Sequence, residues 1–235
     1  MGRQHGRHMG FRVVSRIRSI LDRRGPSLAC WTIVAAGLAG AAMGRAPAVA
    51  IYLVSFVYYG LYWQAFAWGV RSFDAFKRDA LLLKALSVAA LAFVYLQAPP
   101  DLPSLAVIAL GILLNARAAA VLGIDRTYYG HELAGLPERR ITAFPYSVMS
   151  HPMIVGNVMA FGGTLLNPAF RAAWWPLAAL HVVLNLGLLA MERAGPGRRP
   201  VLRLAGLLVF AVTAATAAFA AGNDIHSSRL SQGPS

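Results

Sequence analysis

Seven apolar blocks, most of them long enough to cross a membrane as a helix, constrain the fold of this chain more than any other feature. A helix needs about 20 apolar residues to span the hydrocarbon core of a bilayer. The blocks make the chain 57% hydrophobic and leave it 13% charged, well below the charged fraction of a soluble domain. They run from Ser27 to Met43, Pro47 to Val70, Ala80 to Gln97, Leu105 to Leu122, Met153 to Leu166, Trp174 to Met191 and Leu204 to Ala221. The sequence therefore predicts an all-α, polytopic transmembrane helix bundle of about seven apolar segments.

The first and fifth blocks are the shortest of the seven. A stretch shorter than the bilayer thickness either distorts the bilayer and tilts with its neighbours, or enters and leaves on the same side. The sequence leaves both alternatives open for these two blocks.

Basic residues are distributed unevenly between the two ends of the predicted helices. The N-terminal leader, the connections after blocks two, four and six, and the first five residues of block three, which include Lys84, hold 18 lysine and arginine residues, whereas the remaining connections and the tail hold 3. Cytoplasmic loops of membrane proteins carry such an excess. The pattern predicts an integral membrane protein of the bacterial inner membrane or endoplasmic reticulum with a cytoplasmic N-terminus. The net charge of +13 then indicates contact with anionic lipid and no nucleic-acid partner.

Three polar stretches interrupt the apolar pattern on the predicted cytoplasmic side. They are Arg126 to Glu132, Ile141 to Gly156, and the pair Glu192-Arg193. Because they lie at the ends of blocks four, five and six, we expect them to form one site where a soluble cofactor and a bilayer lipid meet.

Two residue pairs in the second polar stretch, Phe144-Pro145 and His151-Pro152, predict non-helical backbone. The residue before a proline is disfavoured in the helical region. Proline itself suits the first position of a helix, so the helix of block five is expected to begin at Pro152. His151, just before it, is either a functional group or an ordinary interfacial histidine. No metal site is expected, because no ligand spacing is present and Cys30 is the one cysteine.

Block six carries polar residues on one helical face. His181, Asn185 and Glu192 are separated by four and seven residues, which places them near one line along the helix. We expect His181 and Asn185 to form hydrogen bonds between helices. Tyr128 and Tyr129 are either aromatic anchors at the membrane interface or rings that face a cation such as a sulfonium.

The polar stretches resemble a known family of integral-membrane methyltransferases. The most specific piece is Arg140-Ile-Thr-Ala-Phe-Pro-Tyr, followed by Pro152-Met153 and Gly156. This piece is similar to phosphatidylethanolamine N-methyltransferases, which belong with the isoprenylcysteine carboxyl methyltransferases. The resemblance runs from about Leu105 to Arg193. Together with the apolar blocks, the resemblance predicts five regions. They are a basic cytoplasmic leader (1–26), N-terminal membrane helices (27–104), a methyltransferase-like core (105–193), a C-terminal membrane helix (194–222) and a polar tail (223–235).

The resemblance implies S-adenosylmethionine as the methyl donor and the amine of an ethanolamine phospholipid as the acceptor. The family's glycine-x-glycine motif falls on Ala109-Leu110-Gly111, and its paired glutamates fall on Met191-Glu192, with the first residue replaced in each. The cofactor-binding residues implied in this way are Ala109, Leu110, Gly111, Tyr128, Tyr129, Gly130, Pro152, Met191 and Glu192.

Methyl transfer to an amine requires that the amine first lose its proton, so a carboxylate or histidine must lie within reach. Glu132, His131 and His151 are the candidate catalytic residues. Two alternatives stay open at this point. The chain either methylates another membrane substrate, such as a prenylated thiol or carboxylate or another lipid amine, or it is a non-enzymatic lipid-binding relative.

Overall fold

The computed structural model describes residues 27–44 and 47–194, and the regular structure in these ranges is entirely helical. Eight α-helices and one 3-10 turn follow one another. They are α1 (Ser27–Ala42), α2 (Pro47–Trp68), α3 (Phe73–Tyr95), α4 (Leu102–Leu122), α5 (Ile124–Thr127), α6 (Gly130–Ala134), α7 (Pro152–Gly163), the turn Thr164–Leu166, and α8 (Pro168–Ala194). The predicted leader, the seventh apolar block and the polar tail lie outside the described residues.

Three of these helices are long and apolar enough to cross a membrane: α2, α4 and residues Pro168–Arg193 of α8. Two shorter apolar helices, Ser27–Ala42 and Pro152–Leu166, correspond to the short blocks one and five. The all-helical fold is thus confirmed for the described part of the chain, with three helices that are candidate membrane spans. The count of seven spans, and the choice between tilted and re-entrant short helices, stay predictions.

Helix α3 begins at Phe73, seven residues before the start predicted from its apolar block. Its first turns are polar, and they are helical because local contacts stabilise them. The Ser72 hydroxyl accepts a hydrogen bond from the backbone of Ala75 at 3.4 Å, and Lys77 pairs with Asp74 at 3.3 Å. Helix α8 is extended at its start in the same way, because the side-chain oxygen of Asn167 accepts from the backbone N–H groups of Ala169 and Phe170.

Helices α4 and α7 pack with their backbones in close contact, through glycines on both helices. A Cβ atom at Gly111 would lie 2.5 Å from the backbone nitrogen of Ala160, and one at Gly156 would lie 2.7 Å from the carbonyl oxygen of Gly111. Small residues permit this approach in membranes, where apolar side chains gain little by leaving lipid. At the far end of the pair, the Ser104 hydroxyl donates to the carbonyl of Gly163 at 2.7 Å.

Helix α2 lies in the interior of the described bundle and supplies most of its aromatic core. Its buried side chains include Tyr52, Tyr58, Tyr62 and Phe66. The Ser87 hydroxyl of α3 donates to the Ser55 carbonyl at 2.6 Å, so α2 and α3 run side by side in a defined register. The aromatic face of α2 contacts α8 through Tyr59 and His181, and it contacts the segment that connects α4 to α7 through Tyr62 and Tyr129.

The close approach of α4 and α7 leads to a stability prediction. Gly111→Ala should lower the free energy of unfolding by about 1–3 kcal/mol, because the added methyl group has no room between the two backbones. Gly187→Ala is the matched control, since nothing lies within 4 Å of a Cβ atom at that helical position. It should be neutral or stabilise the chain by about 0.5–1 kcal/mol. Thermal unfolding of both variants in the same detergent tests this, and equal melting temperatures would contradict it.

Candidate active site

A cavity of about 450 Å³ opens where α2, α3, α7, the end of α8 and the segment after α4 meet. This volume lies within the range of small-molecule sites. The loop end of the cavity is formed by residues of α5, α6 and the connection to α7, and its floor by residues of α2, α3, α7 and α8. Its lining includes Tyr58, Tyr62, Lys84, Tyr129, His131, Glu132, Tyr146, His151, Asn157, Asn185 and Glu192.

The turn between α5 and α6 directs Tyr129 into this cavity. Tyr129 adopts a left-handed backbone conformation with φ 62°, and its ring packs edge-on against Tyr62 and Phe66 at centroid distances of 5.6 Å and 5.0 Å. The next residue, Gly130, packs closely against the backbone of Asp125, since a Cβ atom at Gly130 would lie 2.7 Å from the carbonyl oxygen of Asp125. Burial raises the pKa of Tyr129, and the carboxylates of Glu192 and Glu132 raise it further. The phenol is therefore neutral, with two carboxylates near it.

Glu192 at the end of α8 is also close to the connection before α7. The pKa of Tyr146 is raised to about 12, first by burial and then by the negative charge of Glu192. His151 stands at the start of α7, where burial and the positive charge of Arg193 both lower the pKa of its imidazole. The imidazole of His151 is therefore neutral at pH 7. Residues from three separated stretches of sequence thus share one cavity.

His131 is held by its own loop. Its Nδ1 atom lies 2.7 Å from the carbonyl oxygen of Leu136. A carbonyl oxygen can only accept a hydrogen bond, so Nδ1 carries a proton, and the lone pair of the neutral tautomer lies on Nε2. The nearby Arg126 guanidinium donates to the carbonyl of Pro137 at 3.0 Å and fixes the same loop.

A chain of hydrogen bonds crosses the floor of the cavity and joins four helices. Asn115 of α4 donates to Asn157 of α7, Asn157 donates to Asn185 of α8, and Asn185 donates to the Tyr59 hydroxyl of α2, each at 2.8 Å. The Tyr59 hydroxyl also lies 3.1 Å from Nδ1 of His181. The expected interhelical hydrogen bonds of His181 and Asn185 are confirmed. Asn157 and Asn185 line the cavity, so this network also shapes the site.

Six of the twelve predicted site residues line the cavity: His131, Glu132, His151, Tyr129, Pro152 and Glu192. The other six lie elsewhere. Gly111 is buried in the contact with α7, while Ala109 and Leu110 are exposed on the outer surface of α4. Tyr128 is buried in the core, and Met191 packs against the core. Gly130 is the first residue of α6 and packs against the backbone of Asp125. The roles implied for all twelve residues stay predictions.

Several lining residues were not singled out from the sequence. Tyr58, Tyr62 and Lys84 belong to α2 and α3, which lie outside the predicted core, and only the packing of the helices brings them to the site. For Asn157 the sequence does contain a signal, because an amide side chain inside an apolar block requires a polar partner. Within residues 27–44 and 47–194, no group of three or more His, Cys, Asp and Glu side chains lies close enough to hold a metal ion.

Comparison with known proteins finds a family that resembles the segment holding most of these residues. Residues 102–194, which run from α4 to the end of α8, match the model of the phospholipid methyltransferase family. The match covers less than half of the chain. It confirms the predicted resemblance, and most of the loop end of the cavity lies within the matched residues.

Two curated relatives carry the same resemblance over shorter stretches. A phosphatidyl-N-methylethanolamine N-methyltransferase of Neurospora crassa is 41% identical over 61 residues, 26% of this chain and 28% of that protein. A phosphatidylethanolamine N-methyltransferase A of Dictyostelium discoideum is 47% identical over 51 residues, 22% of this chain and 24% of that protein. The chain thus spans about a quarter of the length of these relatives. No solved structure gives a significant match.

The surroundings of His151 lead to a prediction about its titration. The imidazole should titrate below its ordinary pKa of 6.5 in the folded chain. Because its pKa is lower in the folded than in the unfolded state, protonation favours unfolding, and stability should fall as the pH drops through 6.5 toward the folded pKa. NMR titration of the resonance that is lost in His151→Gln measures the midpoint.

Substitution of Arg193 separates the two causes of the lowered His151 pKa, which are burial and the positive charge of Arg193. Arg193→Gln should raise the midpoint only in part, since burial is the larger cause and remains. Arg171→Gln is the control at the opposite end of α8 and should leave the midpoint unchanged. A wild-type midpoint at or above 6.5 would contradict the burial and charge described for His151.

Proposed function

We propose that this chain is an S-adenosylmethionine-dependent phospholipid N-methyltransferase that acts on an ethanolamine phospholipid at the cytoplasmic membrane face. The observation that carries the proposal is the meeting of Tyr129, Glu132, His151 and Glu192 in one cavity. All four belong to the segment that matches the phospholipid methyltransferase family. The two relatives are named for methyl transfer to phosphatidylethanolamine and its monomethyl derivative, which supports the choice of acceptor.

The residues of the cavity fit a cationic methyl donor. The carboxylates of Glu132 and Glu192 lie beside the neutral ring of Tyr129, and acidic groups and aromatic faces both attract a cation. When bound, S-adenosylmethionine supplies an activated methyl group on a sulfonium. Glu192 would hold this donor, with Tyr129 beside the sulfonium. Tyr129 is fixed by its packing against Tyr62 and Phe66, so its ring is already oriented in the protein alone.

Three side chains at the cavity could take the proton that the acceptor amine must lose. The low pKa of His151 keeps its imidazole in the neutral form, which can accept a proton. In the neutral tautomer of His131 that donates from Nδ1 to the loop carbonyl, the Nε2 atom carries the lone pair that could accept the proton. Glu132 is the third candidate, and its carboxylate also favours the approach of an ammonium group. The residues that line the cavity would hold the neutral amine in line with the methyl group of the bound donor.

The position of the site suits an acceptor that stays in the bilayer. The cavity lies at the C-terminal ends of α4 and α8, both apolar enough to span a membrane, and at the start of α7. The excess of basic residues in the connections at this end supports its assignment to the cytoplasmic side. A water-borne donor and a lipid headgroup could therefore enter the same cavity from two directions.

Removal of the Glu192 charge tests the proposal. Purified protein in vesicles that contain phosphatidylethanolamine should transfer labelled methyl groups from S-adenosylmethionine to the lipid. Glu192→Gln should weaken donor binding by about tenfold or more, because a hydrogen bond to a charged group contributes about 1.5–3 kcal/mol. Calorimetry of donor binding and mass spectrometry of the methylated lipids measure both effects.

Asp101→Asn is the matched control for the lost charge. Asp101 caps the opposite end of α4, where its side chain accepts from the Ser104 backbone at 2.9 Å, and asparagine can accept the same hydrogen bond. This variant should bind the donor and turn over like wild type. Label in a prenylated substrate and not in phosphatidylethanolamine, or no donor binding by wild type, would contradict the proposal.

A further inference from the structure

Lys84 is a cavity residue that the proposed function has not yet used. The chain contains two lysines, Lys77 and Lys84, on the same side of α3 and two helical turns apart. Lys77 forms ion pairs with Asp74 and with Asp125 of α5. No hydrogen bond or ion pair joins Lys84 to any residue in the described ranges. Lys84 instead lines the cavity, so its ammonium group is available to a ligand.

The position of Lys84 in α3 is unusual for a lysine. It lies at the middle of the helix, with Leu83 and Ser87 buried on one side and Leu81 and Val88 exposed on the other. Lys84 thus stands at the border between the protein core and the apolar outer surface of α3. An ammonium group among apolar helices is costly to retain, and such residues commonly face a polar cavity with a partner of opposite charge.

The direction of the side chain brings its charge toward the loop end of the cavity. Side chains on a helix lean toward its N-terminus. The N-terminus of α3 lies beside α5, as the contact of Lys77 with Asp125 shows. We therefore expect the ammonium group of Lys84 to extend from the floor toward the loop end of the same cavity.

The positive charge of Lys84 argues against contact with the reacting groups and favours contact with an anionic part of a ligand. A methyl donor with a sulfonium and an acceptor with an ammonium are both positive at the reacting atoms, and a cation close to them would oppose their approach. A cation is useful at the anionic part of a ligand. The headgroup of an ethanolamine phospholipid is a zwitterion, with a phosphate joined to the amine by two carbons. Glu132 supplies negative charge for the amine end, and Lys84 supplies positive charge for the phosphate.

Two further observations favour the lipid over the carboxylate of the methyl donor. Lys84 lies outside residues 102–194, the segment that matches the family and holds Tyr129 and Glu192. It also adjoins the exposed apolar side chains of Leu81 and Val88, along which acyl chains can lie while the headgroup enters the cavity. Arg126 and Arg139 line the cavity as well, but they belong to its loop end, where Arg126 donates to the Pro137 carbonyl.

We propose that Lys84 binds the phosphate of the acceptor phospholipid and thereby positions the headgroup amine beside Glu132. This inference rests on the proposed function and deepens it. Lys84 acts as a binding and positioning residue and takes no part in the bond changes of methyl transfer.

The test compares two fluorescent lipids with identical acyl chains, phosphatidylethanolamine and diacylglycerol, bound to the purified full chain in detergent. Lys84→Met should weaken binding of phosphatidylethanolamine by about tenfold or more. It should leave binding of diacylglycerol, which lacks the phosphate, unchanged. Lys84→Arg keeps the charge and should stay within about threefold of wild type for both lipids. Phe93→Leu, on the exposed surface of α3 and outside the cavity lining, is the control and should match wild type for both lipids.

A second measurement uses the wild-type chain alone, so it does not depend on the folding of a variant. An amine-reactive reagent can modify two lysines, and mass spectrometry distinguishes Lys77 from Lys84. A phospholipid with a dimethylated headgroup amine, which cannot consume the reagent, should protect Lys84 and leave Lys77 unchanged. Diacylglycerol should protect neither lysine.

Two results would overturn the inference. One is equal affinity of wild type and Lys84→Met for phosphatidylethanolamine, with no protection of Lys84 in the labelling experiment. The other is a selective loss of S-adenosylmethionine binding in Lys84→Met, which would assign the lysine to the donor carboxylate. Both readouts measure binding, so they are independent of turnover. Absence of methyl transfer by wild type would reject the proposed function and leave these binding results interpretable.

Discussion

The hydrogen-bond chain from Asn115 through Asn157 and Asn185 to Tyr59 is the interaction on which the rest of the site depends. Each amide donates to the next, so the chain defines one register for α4, α7, α8 and α2. An amide without a partner among apolar helices would be costly, and this cost penalises any slip of one helix against another. The same groups form the cavity floor. The arrangement that satisfies the amides is therefore also the one that brings Tyr129, His151 and Glu192 together.

The glycine contact between α4 and α7 makes this network possible. A short amide side chain on α4 can reach one on α7 only when the two backbones are close, and Gly111 and Gly156 allow that distance. Gly111 thus contributes to the site although it does not line the cavity. Its position inside a helix contact agrees with the general role of small residues in membrane helices. The cofactor role that the family resemblance implies for it stays a prediction.

Local sequence signals predicted the parts of the structure that local physics determines. The start of α7 at Pro152 followed from the backbone restriction of His151-Pro152, and the partners of His181 and Asn185 followed from their spacing on an apolar helix. The polar first turns of α3 were missed, because a search for apolar runs does not register a helix stabilised by Ser72 and Asp74. The floor of the cavity could not be predicted, since Tyr58 and Lys84 reach it only through the packing of α2 and α3.

The two sets of helices around the cavity differ in their relation to the family. Helices α4 to α8 fall within the matched segment, whereas α2 and α3, which complete the floor, do not. Under the proposed function, this arrangement places Lys84, the residue that would bind the acceptor phosphate, outside the segment that would bind the donor. Selection could then alter the preferred lipid through changes in α2 and α3 alone, while the chemistry of methyl donation stayed intact. An exchange of these two helices between homologous enzymes would be a direct route to altered headgroup specificity.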